Sequence, residues 1–532
     1  MKKWLVLCLT FALLFSLTIP PTKTEAGSIF PIVIGKPGKP GTIYFGEPPE
    51  NPDPEKPVVV FVQGLYNSAS IWRIYNDMPI RTRNAGYETA FVELNDAGGT
   101  PKSNWDNGKM LADQLQKISD HFEGKKLVVV GYSKGGIDTQ TALVHYGKYP
   151  LVSNVITLGS PHQGSPLADL AYSNWIRWLS SLLGTRNEAV YSLQTGYMNH
   201  FRSQTDSKDE IRQNTYLTLT GNSWGWFLSP TWYGGLYMGV ASDGIVPVSS
   251  ASLPYGKRLA VRKWHHLNIF KGGSTFDVFK DYLTTSRNIE SSKPMVKGPE
   301  KFVAKEPAAS PMNSDSFIRG GEQSGAKSEA FSVENGVKSI TVDWMSERKL
   351  DSVEVTEPSG RTRTVKVKAV QDKTVFKGAW HHLVQVDTPQ PGQWKVNTST
   401  SQKTAYALLV KYDTNKLQQL HLKQKGNQPR WKLVNGSSDS KRQKSGANRP
   451  TISKVKTRLQ VNFIPEKGNK GKQRVLKVQS SKQTTSNDIQ IPDKGPGVYN
   501  MTLDVKGVDA KGMPFTRTIV ESVYMDGEGK VY

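Results

Sequence analysis

The chain has 532 residues but only one cysteine, Cys8, which lies in an apolar segment at its start. Once that segment is removed no thiol remains, which excludes disulfides, cysteine-based metal sites and thiol catalysis. A protein of this size without disulfides depends on core packing alone. That dependence is more typical of a bacterial exporter than of a eukaryotic secretory route.

Long hydrophobic runs are also scarce. The one at the start follows Lys2 and Lys3, extends from Leu5 to Ile19 and is followed by the small-residue site Thr24-Glu25-Ala26. It is shorter than the roughly 18–20 apolar residues that a membrane span needs, so residues 1–26 are predicted to be a secretory signal peptide rather than an anchor. We therefore expect a bacterial protein that is secreted, extracellular or associated with the cell wall.

Acidic residues are too few to balance the basic ones, above all in the second half of the chain. Residues 1–300 contain 30 Lys and Arg against 24 Asp and Glu, and residues 301–532 contain 39 against 22, so most of the net charge of +23 lies in the second half. The excess either keeps the protein soluble or attracts it to an anionic cell wall or membrane surface. No nucleic-acid partner is expected, because no reader motif is present and the charges are scattered over strand-like segments.

Strand-like and helix-like patterns alternate over residues 27–286. Apolar strands at Val58–Val62, Ala90–Val92 and Val155–Leu158 are separated by amphipathic segments, one of which Ser103 can cap. This order predicts an α/β fold, a mostly parallel sheet with helices on both faces. Residues 287–325 have no periodicity and are predicted to be a linker.

Beyond the linker the hydrophobic period becomes two. The pattern predicts a β-sandwich module over 326–413, a basic linker over 414–450 and a second, immunoglobulin-like sandwich over 451–532.

The segment Leu127–Gly136 carries the chemistry. An apolar β-branched run leads into Gly131-Tyr132-Ser133-Lys134-Gly135 and then into a helical pattern, which is the context of a nucleophile elbow. A sharp strand-to-helix turn presents the serine hydroxyl to a base and crowds its neighbours, so the flanking positions are glycine.

A serine nucleophile needs a base and a carboxylate that orients it, and on this type of sheet the chain order is Ser, acid, His. Asp243, in Ser242-Asp243-Gly244, satisfies this order as the acid, although an Asp-Gly pair also forms ordinary turns. His265 and His266 both follow the last predicted strand, and the order alone does not separate them.

Four segments together resemble the bacterial secreted triacylglycerol lipases of the α/β-hydrolase fold over about residues 55–285: Val60-Phe61-Val62-Gln63-Gly64-Leu65, Gly131–Gly136, Leu158–Ser165 and Ser242–Pro247. The resemblance implies a Ser-His-Asp triad of Ser133, His266 and Asp243, the histidine being followed by Leu as in that family. It also implies that the backbone N–H groups of Leu65 and Lys134 form the oxyanion hole.

Two residues depart from the family pattern. Gln63 stands where most members have histidine, and we expect it to contact substrate. Asn268 stands where some relatives have a calcium-binding aspartate, and it lacks the charge that a calcium site favours, so no metal and no cofactor are expected.

Aromatic residues concentrate in two insertions of the α/β region. Trp175 and Trp178 belong to the first, and Trp226 and Trp232 to the second. They are predicted to line a lid and an acyl pocket for an apolar ester, with ordinary packing of a large cap as the alternative. The side chain of Lys134 is expected at the surface.

Two functions follow from these observations. The first is a secreted, monomeric serine hydrolase that cleaves carboxylic esters, lipid or acyl esters above all, through an acyl-enzyme. The second is a catalytically silent protein of the same fold that binds a cell surface or wall. The complete Ser, Asp, His order favours the enzyme.

Overall fold

The structure is a computed structural model that describes residues 32–176, 186–285, 315–365, 368–414, 420–426, 428–435, 455–466, 474–476, 488–509 and 511–532. The predicted signal peptide lies outside the described residues, as do Trp178 and most of both predicted linkers. Within the described residues, no helix combines the length and the apolarity that crossing a membrane requires.

The first half of the chain is built on one eight-stranded sheet in the order β1-β2-β4-β3-β5-β6-β7-β8. The six neighbouring strands β4, β3, β5, β6, β7 and β8 pair in parallel. Strands β1 and β2 form an antiparallel edge beside β4. The strands are β1 (Ile32–Ile34), β2 (Ile43–Phe45), β3 (Val58–Val62), β4 (Thr89–Val92), β5 (Leu127–Tyr132), β6 (Val152–Leu158), β7 (Thr215–Gly221) and β8 (Lys257–Arg262).

Helices cover both faces of this sheet, as the alternating order predicted. Two separate apolar cores, one on each face, account for the continuous burial of β3 and β5. The described α-helices of this half are α1 (Ser70–Arg73), α2 (Met78–Asn84), α3 (Asn104–His121), α4 (Lys134–Val144), α5 (Pro166–Tyr172), α6 (Glu188–Tyr191), α7 (Thr195–Thr205), α8 (Pro230–Met238) and α9 (Gly272–Phe279).

Helix α3 shows why the local sequence forms this structure. The Ser103 hydroxyl accepts a hydrogen bond from the Asp106 N–H at 3.2 Å and so caps the first turn, as predicted. Leu111, Leu115 and Ile118 recur at helical spacing and are fully buried against the sheet.

The helices and strands described beyond residue 315 are all strands, as the change of period predicted. The first module of this half is one bent antiparallel sheet in the order β12-β11-β15-β10-β14-β13, with β9 paired along β15. A register shift between Thr400 and Thr404 bends β15. The strands are β9 (Ser316–Val333), β10 (Ser339–Ser346), β11 (Val353–Thr356), β12 (Thr362–Val365), β13 (Lys368–Gln371), β14 (Trp380–Asp387) and β15 (Gly392–Asp413).

The second module is a sandwich of two sheets around one core. The sheets have the orders β16-β17-β20 and β19-β18-β21-β22. The strands are β16 (Leu420–Gln424), β17 (Arg430–Asn435), β18 (Lys456–Pro465), β19 (Arg474–Leu476), β20 (Asp488–Gln490), β21 (Gly497–Val508) and β22 (Pro514–Met525).

Two predicted boundaries need correction. Strand β9 begins at Ser316, inside the stretch predicted as a linker, and β16 and β17 lie in the stretch predicted as a basic linker. Both regions have polar or small residues at alternate positions, because one face of each strand is not part of a core. Their hydrophobic signal was therefore too weak to mark a strand.

The two β modules pack on the helices that follow β6 and β7. The side chain of Asn500 donates to the backbone oxygen of Asp169 in α5 at 2.7 Å, and Asn462 donates to that of Tyr172 at 2.7 Å. Tyr237 of α8 donates to Asp343 of the first module at 3.2 Å. We call α5, α7 and α8 the cap helices, since they lie between the parallel sheet and the β modules.

Candidate active site

The turn between β5 and α4 places Ser133 in an uncommon backbone conformation. Its φ is 53° and its ψ is −127°, which directs the side chain away from a sharp bend and is strained for a residue with a Cβ. Gly131 and Gly135 on either side have no room for a side chain. A Cβ on Gly131 would lie 2.8 Å from Gly136, and one on Gly135 would lie 2.5 Å from the backbone oxygen of Gln63.

Three side chains meet at this turn. Ser133 Oγ lies 3.0 Å from His266 Nε2, and His266 Nδ1 lies 2.7 Å from Asp243 Oδ2. With Nδ1–H donating to the carboxylate, Nε2 is left to accept the proton of the serine hydroxyl. All three residues are buried, with Ser133 only 7% exposed, so water competes little for these contacts.

The loops that carry the acid and the base are held by backbone contacts. Asp243 Oδ1 accepts hydrogen bonds from the N–H groups of Ile245 at 3.0 Å and Val246 at 2.7 Å, which leaves Oδ2 for the imidazole. The N–H of His266 donates to the backbone oxygen of Asp243 at 2.9 Å, and the Tyr132 hydroxyl donates to the backbone oxygen of His266 at 3.0 Å. Asp243 thus forms the Asp-Gly turn and also contacts the histidine.

The structure brings His266, and not His265, to Ser133. The ring of His265 lies edge-on to Trp226, with the centroids 5.9 Å apart, and burial lowers the pKa of His265. Its backbone N–H donates to Asn268 Oδ1 at 3.0 Å, so Asn268 closes the turn after β8. Among the described residues, no group of three or more His, Cys, Asp or Glu side chains is arranged to hold a metal ion.

The two predicted oxyanion donors flank Ser133. Lys134 is the first residue of α4, where a backbone N–H has no acceptor within the helix. Leu65 lies on the loop after β3, and a Cβ on the preceding Gly64 would lie 2.8 Å from the Cβ of Ser133. The loop therefore approaches the nucleophile as closely as its backbone permits.

The prediction that Gln63 contacts substrate is wrong, because its side chain points into the protein interior. Its side chain is 1% exposed, and with the amide oriented to satisfy both neighbours it donates to Val92 O and accepts from the Leu94 N–H, each at 2.6 Å. The residue joins the loop after β3 to the end of β4. It is a positioning residue for the loop that carries Leu65.

The side chain of Lys134 is fully buried, which corrects the expectation of a surface lysine. Its ammonium lies 2.9 Å from Asp138 and 3.5 Å from Asp96, and Asn107 donates to Asp138 at 3.1 Å. Burial opposes the charge of Lys134, but the two carboxylates outweigh it and raise its pKa. Burial raises the pKa of Asp138 to about 7. The spacing of Lys134 and Asp138, four residues apart on a helix, was the signal in the sequence.

The predicted aromatic residues lie in three different environments. Trp226 is 66% exposed beside His265, and its neighbour Phe227 is 56% exposed. Trp232 packs between Phe227 and Tyr233, with ring centroids 4.9 and 5.2 Å away. Trp175 lies against Arg319 of the first β module, away from the histidine. The structure therefore brings only Trp226, among these, next to the His265-His266 pair.

This fold and this site define the class of the protein as an α/β-hydrolase. No protein-family model matches the chain, and no curated protein matches it. Among solved structures, the Bacillus licheniformis lipase BlEst2 in its propeptide form is 36% identical, covers 93% of this chain and 99% of its own, and has a TM-score of 0.73. The mature form of that lipase is 48% identical over 46% of this chain and 99% of its own, with a TM-score of 0.44. The chain belongs to the family of this Bacillus lipase and is a carboxylic ester hydrolase.

Proposed function

We propose that the protein hydrolyses carboxylic esters through a triad of Ser133, His266 and Asp243. The observation that supports this assignment is the unbroken line of contacts from Asp243 Oδ2 through the imidazole of His266 to Ser133 Oγ, 2.7 and 3.0 Å long. These are hydrogen-bond distances for a nucleophile, its base and the group that orients the base.

The geometry supports a two-step reaction. Ser133 Oγ attacks the ester carbonyl while His266 Nε2 takes its proton, and the backbone N–H groups of Leu65 and Lys134 stabilise the oxyanion. The C–O bond to the alcohol then breaks, and His266 returns the proton to the leaving alcohol. Water attacks the acyl-serine with the same base, which releases the acid and restores the serine.

The substrate that we propose is an ester with an apolar acyl chain. Trp226 and Phe227 are large, exposed aromatic residues on the loop after β7, and Trp226 lies beside the histidine pair. Exposed aromatic side chains near a buried nucleophile suit contact with an apolar substrate rather than with a charged one.

We propose further that the protein is exported as a precursor. The N-terminal segment has the pattern of a signal peptide, and the Bacillus lipase whose structure covers 93% of this chain is described in a propeptide form. The β modules, which pack on the cap helices and form separate sheets, are the part that we assign to the propeptide. Their excess of basic residues supports attraction of the precursor to an anionic surface.

Hydrolysis of p-nitrophenyl acetate and p-nitrophenyl octanoate tests the catalytic proposal, before and after limited proteolysis of the full chain. We expect Ser133→Ala and His266→Ala each to lower kcat at least about 10³-fold, since members of a triad act as a unit. His265→Ala is the matched control and keeps most of the activity.

A fluorophosphonate probe identifies the nucleophile independently. We expect one adduct, on the peptide that contains Ser133, in the wild type and in His265→Ala. Equal hydrolysis by wild type and Ser133→Ala, or no adduct before or after proteolysis, would contradict the proposal and favour a catalytically silent binding protein.

A further inference from the structure

A cleft opens where the segment after α5 meets the first and second β modules. Its volume is about 260 Å³, and it is lined by Trp175, Arg319, Lys456, Thr457, Arg458, Asp504 and Lys506. Trp175 follows α5, Arg319 lies on β9, and the other five residues lie on the paired strands β18 and β21. No residue of the triad takes part in it.

The cleft has a strong excess of positive charge. Four of its side chains are cations and one, Asp504, is an anion. Asp504 is already engaged, because it accepts from Arg319 at 2.7 Å and from the Thr518 hydroxyl at 3.1 Å. Lys456, Arg458 and Lys506 form no ion pair with any other described residue, and all three are exposed.

The register of β18 and β21 places two of these cations directly opposite each other. Lys456 lies directly opposite Lys506 in the antiparallel pair, and Arg458 lies opposite Asp504. Like charges directly opposite each other destabilise a sheet. A bound anion would remove this cost, so the folded strands already favour an anionic ligand.

Two contacts of Arg319 hold the wall of the cleft on the side of the first module. The Arg319 guanidinium stacks on the Trp175 ring at 4.5 Å from its centroid and is tied to Asp504 at 2.7 Å. One face of Trp175 is thus occupied by Arg319. A ligand that needs stacking platforms for successive bases finds little aromatic surface here, whereas a ligand made of repeated anions finds several cations.

We infer that this cleft binds a linear polymer of phosphate groups that carries no bases. Lysine and arginine side chains at neighbouring positions of a sheet match successive phosphates along such a chain. The inference gives the proposed attraction to anionic surfaces a specific site, and it does not depend on the catalytic proposal.

Binding at this place also links the three parts of the molecule. Because the lining residues come from the segment after the cap helix α5 and from both β modules, the polymer would contact the docked arrangement and not the separated parts. A ligand that binds only one arrangement stabilises it, so the polymer is expected to hold the β modules on the cap.

Calorimetric titration of the full chain with short inorganic polyphosphate, at low salt and without any ester, tests the inference. We expect saturable binding that Lys456→Ala/Lys506→Ala weakens at least about tenfold, with a salt dependence reduced by about two charges. Lys494→Ala/Lys511→Ala is the matched control, since it removes two exposed loop lysines from the same module and from outside the cleft. It should change the affinity by less than about twofold.

A charge-conserving variant and a measurement of thermal stability complete the test. Lys456→Arg/Lys506→Arg keeps the charge and should retain the affinity, and polyphosphate should raise the Tm of the wild type but not that of the double alanine variant. Equal weakening in the two alanine pairs, absence of binding, or tighter binding of anionic vesicles or oligo-dT than of polyphosphate would overturn the inference. Since no ester is present, each of these results leaves the proposed hydrolysis untouched.

Discussion

Single residues around Ser133 have two kinds of role, contact with the reacting groups and support of the backbone. Chain order on this sheet type selected Ser133 and Asp243 from the sequence, and the family resemblance favoured His266 over His265. The structure brings the side chains of Ser133, Asp243 and His266 into contact. The choice between His265 and His266 depends on the turn that follows β8. Chain order says nothing about that turn, so the residues alone left the choice open.

Lys134 is the residue whose side chain the sequence analysis misjudged. Its charge is buried between Asp96 and Asp138, and loss of the ammonium would leave two carboxylates in the interior without a counter-charge. We expect Lys134→Met to lower the free energy of unfolding by about 3–5 kcal/mol in urea denaturation.

The matched control for this substitution is Lys125→Met. Lys125 pairs with Glu88 at 2.8 Å near the surface, so its replacement should cost less than about 1 kcal/mol. Equal losses of stability in the two variants would show that the buried network around Lys134 is not an important support of the elbow.

At the level of elements, the parallel sheet was predictable and the β modules were less so. Apolar runs such as Val58–Val62 are buried along their whole length, so the sequence alone shows them to be strands of a buried sheet. Strand β9 contains three glycines and alternating polar residues, because only one of its faces meets the core of the module. A period-two signal that weak does not separate a strand from a linker.

The loop after β3 gives a test at this level. A Cβ on Gly64 would lie 2.8 Å from Ser133 Cβ, so Gly64→Ala should push the loop that carries the Leu65 N–H away from the nucleophile. We expect kcat for p-nitrophenyl acetate to fall about 10²-fold, because misplacement of a catalytic donor by about 1 Å has that effect.

Gly273→Ala serves as the control for the loop. Gly273 is an exposed position of α9 with no atom closer than 3.5 Å to a new Cβ. Its replacement should leave kcat unchanged and raise stability by up to about 1 kcal/mol, since alanine is the better helix former. Equal activity of Gly64→Ala and wild type would remove the oxyanion role of the loop.

For the whole molecule, the contact between the cap helices and the β modules contains buried ionisable groups. Burial and the nearby Asp169 raise the pKa of Glu521 to about 8, and burial raises that of Asp169 to about 7. Burial disfavours the charged form of His381, but Asp343 and Asp372 outweigh it and raise its pKa to about 9. His381 also stacks on Tyr233 of α8, with centroids 3.7 Å apart.

The raised pKa values of Glu521 and Asp169 arise where a β module meets a cap helix, whereas that of His381 is caused by two carboxylates of its own module. A group whose pKa is raised in the docked state contributes stability at low pH, and that stability is lost as the pH rises through the raised value. Because of Glu521 and Asp169, we expect docking of the β modules to weaken progressively from about pH 5 to pH 8. Hydrogen exchange of α5 and α8, measured over this range, should become faster with rising pH.

Glu521→Gln isolates one part of this dependence. The amide has no charge to bury, so the variant should lose much of the change between pH 5 and pH 8, whereas Glu528→Gln at an exposed turn should behave as the wild type does. Exchange rates of the cap helices that stay constant from pH 5 to pH 8 in the wild type would contradict the assignment.

The backbone and the side chain of Lys134 have separate roles, and this has a consequence for protein engineering. In the proposed mechanism this residue supplies a backbone donor beside Ser133. Its side chain also pairs with Asp96 and Asp138 and so holds the start of α4 in place. Libraries that randomise the position next to the nucleophile will therefore be dominated by unfolded clones. Variation is better directed to Trp226 and Phe227, whose exposed side chains can change shape without disturbing the interior.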